Sequence, residues 1–330
     1  MMPFGWCLAA LVGSAVSVAS ASGCGSAPPV KTASENEVKL QNSNREYLYW
    51  LPKDYDGNTP TPLIFSFHGA GGSAKGQADL DLLTEPEFNS DHIIVYLQST
   101  SKNENLWEVS PEVNVDDVAY TLEVLDQVQE ELCIDDSRIY ATGMSQGGGM
   151  VNLLACDKDA SKRFAAYAPV AGAFYYDENS DDKCDPDNAT FNCSPGREDI
   201  PILAFHGGDD NVVAYDGGSR RGGCLPNVRH WASEWAVREG LGPDVTEKEE
   251  ITSAATKYLY GTGSKQGLVS LVYSGKKVGH VWPETNEDGD SGTASFNASS
   301  LIMDFFKKEQ LPYVLPCHVN PLSIQSANLP

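Results

Sequence analysis

The sequence predicts an α/β fold: a mostly parallel, doubly wound sheet flanked by helices, with inserted cysteine-bearing loops near its functional end. Three observations carry this expectation. Apolar runs the length of strands buried on both faces recur along the chain, as in Leu63–Phe67, His92–Gln98 and Ile200–Phe205. A helical stretch opening at Asp116 places Val118, Leu122, Leu125 and Val128 on one face and ends near Cys133. A further strand, Ile139–Thr142, then runs into Gly143-Met144-Ser145-Gln146-Gly147 and a helix-compatible run, Gly148–Ala155. Strand, helix and strand in that order imply parallel pairing.

Taken in order, residues 25–37 read as an extended approach pinned by Cys24, and the aromatic-rich Glu46–Leu51 as a strand ending at Pro52. Pro60-Thr61-Pro62 is a turn before the buried strand Leu63–Phe67, which exits into His68-Gly69-Ala70-Gly71-Gly72-Ser73. A polar loop with Trp107 separates His92–Gln98 from the Asp116 helix. After the Ser145 turn and its helix, Ala165–Phe174 is the next strand with its outgoing loop. Residues 175–199, acidic and carrying Cys184 and Cys193, read as an inserted surface loop of the kind that caps a site. Ile200–Phe205 exits into His206-Gly207-Gly208-Asp209-Asp210, and Val228–Glu239 is a helix with Trp231 and Trp235. Thr256–Tyr260 and Leu268–Tyr273 are late strands, and Ser299–Glu309 a closing amphipathic helix. No internal repeat or long linker divides the 330 residues, so a single catalytic domain over 22–330 is expected.

Composition narrows the function. A formal net charge of −23 argues against nucleic acid and against anionic membrane surfaces, because nothing would neutralise phosphate. Residues 1–21 hold no Lys or Arg and end in Ala19-Ser20-Ala21, a small-x-small pattern read as a secretory signal peptide. Its removal takes Cys7 from the eight cysteines and leaves seven, which an oxidising compartment would mostly pair. None shows C-x-x-C spacing, so neither a metal nor a cofactor is expected. Asn188-Ala189-Thr190 and Asn297-Ala298-Ser299 are acceptor patterns for N-glycosylation. These features together describe a secreted, extracellular, disulfide-bonded protein with Asn188 and Asn297 as candidate glycosylation sites, and a monomer is expected.

The chemistry centres on Ser145. Strand, sharp turn and helix are the context of a nucleophile elbow, where glycines two places before and after the serine let crowded backbones pass. The glycine-rich exit after His68 is placed to supply half of an oxyanion hole. A serine hydroxyl needs an imidazole to take its proton and a carboxylate to orient that imidazole. Of the six histidines, only His280 and His318 follow the last strand; His318 lies in the terminal tail, and His280 stands between a glycine and an aromatic-proline turn. For the carboxylate, Asp209 and Asp210 compete at one strand exit, and one residue of difference turns the side chain to another face. The order Ser, Asp, His is that of α/β-hydrolases.

At this level of detail the chain resembles the secreted fungal feruloyl esterases of carbohydrate esterase family 1, relatives of polyhydroxybutyrate depolymerases. The matching segments are Gly23-Cys24-Gly25, Leu132-Cys133 through Arg138 to Gly143, the elbow, Leu154–Asp157, and Phe164–Val170. Phe205-His206-Gly207 with Asp210, Val213 and Tyr215, the Arg220-Arg221-Gly222-Gly223 loop, and Gly279-His280 with Trp282-Pro283 complete them. The resemblance implies a Ser145–Asp210–His280 triad, oxyanion donors from the backbone N–H of Gln146 and from the Gly69–Ala70 loop, and release of hydroxycinnamates from feruloylated plant cell-wall polysaccharide or small cinnamate esters. Acetyl-xylan and polyhydroxyalkanoate esters are the alternative substrates, and a non-catalytic binding protein is the alternative class. It also implies a Cys133–Cys156 disulfide and a second from Cys24 to Cys193 or Cys184. Met144 and Gln146 depart from the family's usual neighbours of the serine and are candidates for shaping the acyl site. Trp107, Tyr215 and Trp282 are candidates to stack on a cinnamoyl ring.

Overall fold

The computed structural model describes residues 23–40, 45–100, 104–176, 183–190, 192–285 and 293–312. The expected signal segment, Cys7 and Cys317 lie outside these residues. Among them the chain forms twelve strands and five α-helices. The strands are β1 (Glu35–Lys39), β2 (Glu46–Trp50), β3 (Thr61–Phe67), β4 (Ile93–Leu97), β5 (Ile134–Met144) and β6 (Ala166–Val170). They continue as β7 (Ile202–His206), β8 (Gly218–Arg220), β9 (Gly223–Leu225), β10 (Val245–Thr252), β11 (Ala255–Tyr260) and β12 (Val269–Tyr273). The helices are α1 (Ala74–Asp81), α2 (Asp117–Glu131), α3 (Gln146–Cys156), α4 (Val228–Arg238) and α5 (Ala298–Phe306).

The main sheet runs β1-β2-β4-β3-β5-β6-β7-β12-β11-β10. Its centre, from β4 to β12, is parallel throughout, and the two outer strands on each side are antiparallel. The parallel strands are buried on both faces because helices cover both. Alternation along β3 shows the division: Leu63, Phe65 and Phe67 join the core under α2, α3 and α4, while Ile64 joins the core under α1 and α5. The chain leaves β3 toward β4 on one side and returns as β5 on the other. Strand order therefore reverses between β3 and β5, and a crevice opens beyond their carboxyl ends. The exit loops of β3, β5 and β7 all meet at that end.

Five elements lie outside the sequence reading. The helix α1 falls in a stretch to which that reading assigns no element, since Ala-Lys-Gly-Gln-Ala-Asp-Leu-Asp has a Gly inside and only a weak apolar stripe; Ser73 caps it through a bond from the Gly76 N–H. β10 is half charged, with Glu247–Glu250 consecutive, and becomes a strand through its pairing with β11 at the sheet edge. β1 extends the opposite edge, and β8–β9 form a small separate hairpin.

The expected disulfide pairing is corrected. Cys24 bonds Cys133, Cys156 bonds Cys193, and Cys184 bonds Cys224. The Cys133–Cys156 bridge implied by the resemblance is absent, and so is a link from Cys24 to Cys193 or Cys184. Each of the two central cysteines has a partner delivered by another segment. The Gly23 N–H donates to the Gln129 carbonyl at 3.1 Å, laying the segment around Cys24 along the end of α2 beside Cys133. The Ser194 N–H donates to the Cys156 carbonyl at 3.1 Å, which sets Cys193 against the end of α3. Of the acceptor asparagines, Asn188 is exposed, whereas Asn297 is half-buried and its Oδ1 accepts the Thr285 N–H at 2.7 Å.

Candidate active site

The elbow holds Ser145 in a conformation that residues with a Cβ avoid, φ 58° and ψ −121°. Backbone contacts fix it there: its N–H donates to the Val170 carbonyl at 3.0 Å, and its carbonyl accepts the Gly149 and Ala173 amides at 3.0 and 2.9 Å. The turn also requires close passage. A Cβ on Gly147 would stand 2.0 Å from the Phe67 carbonyl oxygen, and one on Gly143 2.8 Å from the same atom. Both glycines are therefore needed for β3, β5 and α3 to approach one another. Ser145 precedes the first turn of α3, so the Gln146 N–H lies among the amides without an intrahelical acceptor.

The β3 exit loop lies against the elbow, with a Cβ built on Gly69 falling 3.3 Å from that of Ser145. His68 shapes this loop. Burial pushes its imidazole down to about 4, so the ring is neutral. Nε2 accepts the Ser99 N–H at 3.2 Å, which leaves Nδ1 to donate to the Gly69 carbonyl at 2.7 Å. The Gly71 and Gly72 amides are spent on the Asn105 and Gly69 carbonyls, and the Ala70 amide remains at the cavity wall.

Asp210 and His280 come from the exits of β7 and β12. Asp210 is 5% exposed, and its Oδ2 accepts from His280 Nδ1 at 2.7 Å. Its Oδ1 accepts the Val212 and Val213 amides at 2.9 and 2.8 Å. His206 Nε2 lies 3.3 Å from Oδ2 and donates to the Val213 carbonyl at 2.8 Å. Burial alone would raise the Asp210 carboxyl, but the hydrogen bonds and charges of His206 and His280 outweigh it and hold it well below the usual carboxylate range. Asp209, one residue earlier, is exposed at the turn and its side chain makes no contact with His280. The competition left open by the residues alone is thus resolved in position: Asp210 faces the imidazole.

Ser145, Gln146 and His280 line one cavity of 330 Å³, together with Gly69, Ala70, Met144 and Tyr175. Leu80, Ala173, Val212 and Val213 give it apolar walls, and Arg220 and Arg221 stand at it as the cationic members. Sequence reasoning placed Met144 here but missed Leu80, Tyr175 and the position of Arg220 and Arg221 at the cavity. Leu80 belongs to the unforeseen helix α1, and Tyr175 was read as the start of a surface insertion.

The three candidate stacking aromatics are elsewhere. Trp107 is fully buried, packs edge-on against Phe67 and donates its indole N–H to the His68 carbonyl at 2.7 Å. Trp282 is buried with its indole on Ser299 Oγ at 2.9 Å. Tyr215 packs edge-on between His206 and Tyr273, outside the cavity lining. Each is an anchor for a loop of the site, because a large ring with one polar atom is most stable buried with that atom bonded. A larger open groove of 870 Å³ lies between α2 and α3, lined by Glu108, Asp116, Asp157 and Asp159, and contains none of the elbow residues.

A parallel sheet switching direction at β3 and β5, with a strained serine at the elbow and a buried Asp–His pair on adjoining exits, defines an α/β-hydrolase of the ester-cleaving class. Comparison with known proteins narrows it. "Probable feruloyl esterase C" of Aspergillus niger is 30% identical over 261 residues, covering 78% of this chain and 83% of that protein. The Aspergillus oryzae protein of the same name is 31% identical over 204 residues, covering 61% of this chain and 66% of its own. The chain belongs to this family of fungal feruloyl esterases. An acetyl xylan esterase from Aspergillus awamori shares the fold, with a TM-score of 0.57 at 15% identity over 83% of this chain and 99% of that one. No family model matches the chain. Among the described residues, no helix is long and apolar enough to cross a membrane.

Proposed function

We propose that the protein is a secreted serine esterase of the carbohydrate esterase family 1 type. It releases ferulic and related hydroxycinnamic acids from plant cell-wall polysaccharide through an acyl-enzyme. The observation that carries this reading is one cavity shared by the elbow serine and an imidazole whose far nitrogen is held by a buried, ionised carboxylate.

In this mechanism Ser145 Oγ attacks the ester carbonyl and passes its proton to His280 Nε2. Asp210 keeps the other proton on Nδ1 and stabilises the imidazolium. The negative carbonyl oxygen is received by the Gln146 and Ala70 amides, donors that need no reorganisation during the reaction. His280 returns the proton to the departing sugar oxygen, leaving an acyl-Ser145. Water then gives its proton to His280 and attacks the same carbonyl, and the acid leaves as Ser145 recovers its proton. The apolar walls at Leu80, Met144, Ala173 and Val213, with Tyr175, suit a flat aromatic acyl group, and a 330 Å³ cavity falls in the range of small-molecule sites. The names of the relatives support the hydroxycinnamate. Three disulfides fit maturation outside the cytosol, so residues 1–21 serve as the leader and 22–330 as one catalytic domain, glycosylated at Asn188.

The test is a substrate panel of methyl ferulate, p-coumarate, caffeate and sinapate beside acetyl xylan and polyhydroxybutyrate, with Ser145→Ala as control. Cleavage of the cinnamates, lost in the variant, is expected. Cleavage of acetyl xylan or polyhydroxybutyrate alone would overturn the hydroxycinnamate assignment while leaving the esterase.

A further inference from the structure

The cavity that holds Ser145 carries charge opposite in sign to the molecule's net charge. The chain carries 46 acidic against 23 basic residues, and the large groove between α2 and α3 is lined by carboxylates and, among the described residues, by no Lys or Arg. The Ser145 cavity is the reverse: Arg220 and Arg221 line it and, among the described residues, no Asp or Glu does. An anion approaching a molecule of net charge −23 meets repulsion, so a local pair of guanidinium groups is what would admit it.

The two arginines are also held in place. They end β8 and begin the turn to β9, and the Cys184–Cys224 disulfide ties β9 to the inserted loop. A Cβ on Gly223 would lie 2.8 Å from Pro111 and 2.9 Å from Tyr175, so the hairpin is pressed onto the cavity wall. Arg221 Nη1 pairs with Glu112 Oε2 at 2.6 Å. Arg221 is 35% exposed, and a guanidinium has five N–H donors, so one carboxylate contact leaves others for a ligand.

We propose that Arg220 and Arg221 form an anion subsite at the mouth of the Ser145 cavity, recognising a carboxylate carried by the ester being cleaved. This rests on ester cleavage by Ser145 in that cavity. The carboxylate has two chemical sources, an acidic sugar on the alcohol side or a second carboxyl on the acyl group. Glu112 competes with it for Arg221.

The experiment measures kcat/KM for two matched pairs: ferulate esters of a uronic acid and of a neutral pentose, and the methyl esters of 4-carboxycinnamate and cinnamate. The readout is the charged-to-neutral ratio within each pair. Arg221→Gln is expected to lower that ratio about tenfold, the worth of one partly exposed charge-assisted bond. Arg221→Lys restores part of it, and Glu112→Gln raises it by freeing the guanidinium. The wild-type ratio falls between about 20 and about 500 mM salt. The pair that responds identifies the source of the carboxylate. A ratio that stays fixed, or that moves in the same direction in Arg221→Gln and Glu112→Gln, overturns the subsite. Failure to cleave the neutral esters would instead overturn the esterase reading.

Discussion

Replacing Asp210 by Asn tests the role of the buried carboxylate at a single atom. Asn keeps the volume and an Oδ1 for the Val212 and Val213 amides, now 2.9 and 2.8 Å away. It places an NH₂ where Oδ2 stands 2.7 Å from His280 Nδ1. Two donors cannot face each other, so the imidazole must shift its proton to Nε2, the atom that has to accept from Ser145. The same NH₂ would also face His206 Nε2 at 3.3 Å. Loss of the correct tautomer in a serine triad costs about 10⁴-fold in kcat, or about 5.5 kcal/mol of barrier. The fold should lose far less, about 1–3 kcal/mol, because only the bonds to Oδ2 are disrupted. The assay is kcat on methyl ferulate beside a urea unfolding curve. An Asp210→Asn protein that folds normally and keeps kcat within tenfold of wild type would refute the reasoning.

Two further predictions concern the scaffold. Cys24–Cys133 closes a separation of 109 residues and Cys184–Cys224 one of 40, so loop entropy assigns them about 5 and about 4 kcal/mol. Cys24→Ser with Cys133→Ser should therefore lower unfolding stability more than the Cys184–Cys224 double serine variant, and peptide mapping of the unreduced protein should recover no Cys133–Cys156 peptide. Asp81 is fully buried between α1 and the sheet, and burial pushes its carboxyl up to about 7 against bonds from Ser66, Leu83, Tyr96 and Gln77. Its folded value lies above the unfolded one, so the native state holds a proton the unfolded chain has released. Its contribution is fully present below about pH 4 and is lost as pH rises to about 7, roughly 4 kcal/mol over three pH units. Asp81→Asn should flatten that slope in unfolding curves taken across the window, and a slope equal to the wild type's would count against it.

The strands of the sheet centre are legible in the sequence because each is a short apolar run that helices cover on both faces. The elbow is legible because its glycines answer a steric demand made by neighbouring backbones, a demand visible at Gly147 against the Phe67 carbonyl. What escapes the sequence has no periodic signature. The helix α1 is short and polar, β10 is a charged edge held by its neighbour, and the β8–β9 hairpin is shaped by Cys184–Cys224 and Tyr176 rather than by local preference. Cysteine pairing depends on which segments the fold brings together, and the family resemblance assigned Cys133 and Cys156 to each other when the segment around Cys24 and the inserted loop reach them first. Aromatic residues near a site are ambiguous in the same way. Trp107 and Trp282 hold loops from beneath, while Tyr175 reaches the cavity from a segment read as surface loop and Leu80 from a helix the sequence does not announce.

The most direct test of the central claim is to trap the acyl group. The protein is mixed with methyl ferulate, quenched in acid within the first turnovers, digested and examined by peptide mass spectrometry. The account predicts a feruloyl group on the peptide containing Ser145, absent from Ser145→Ala, which releases no ferulate. A feruloyl group on another residue, or ferulate release by Ser145→Ala at the wild-type rate, would contradict it.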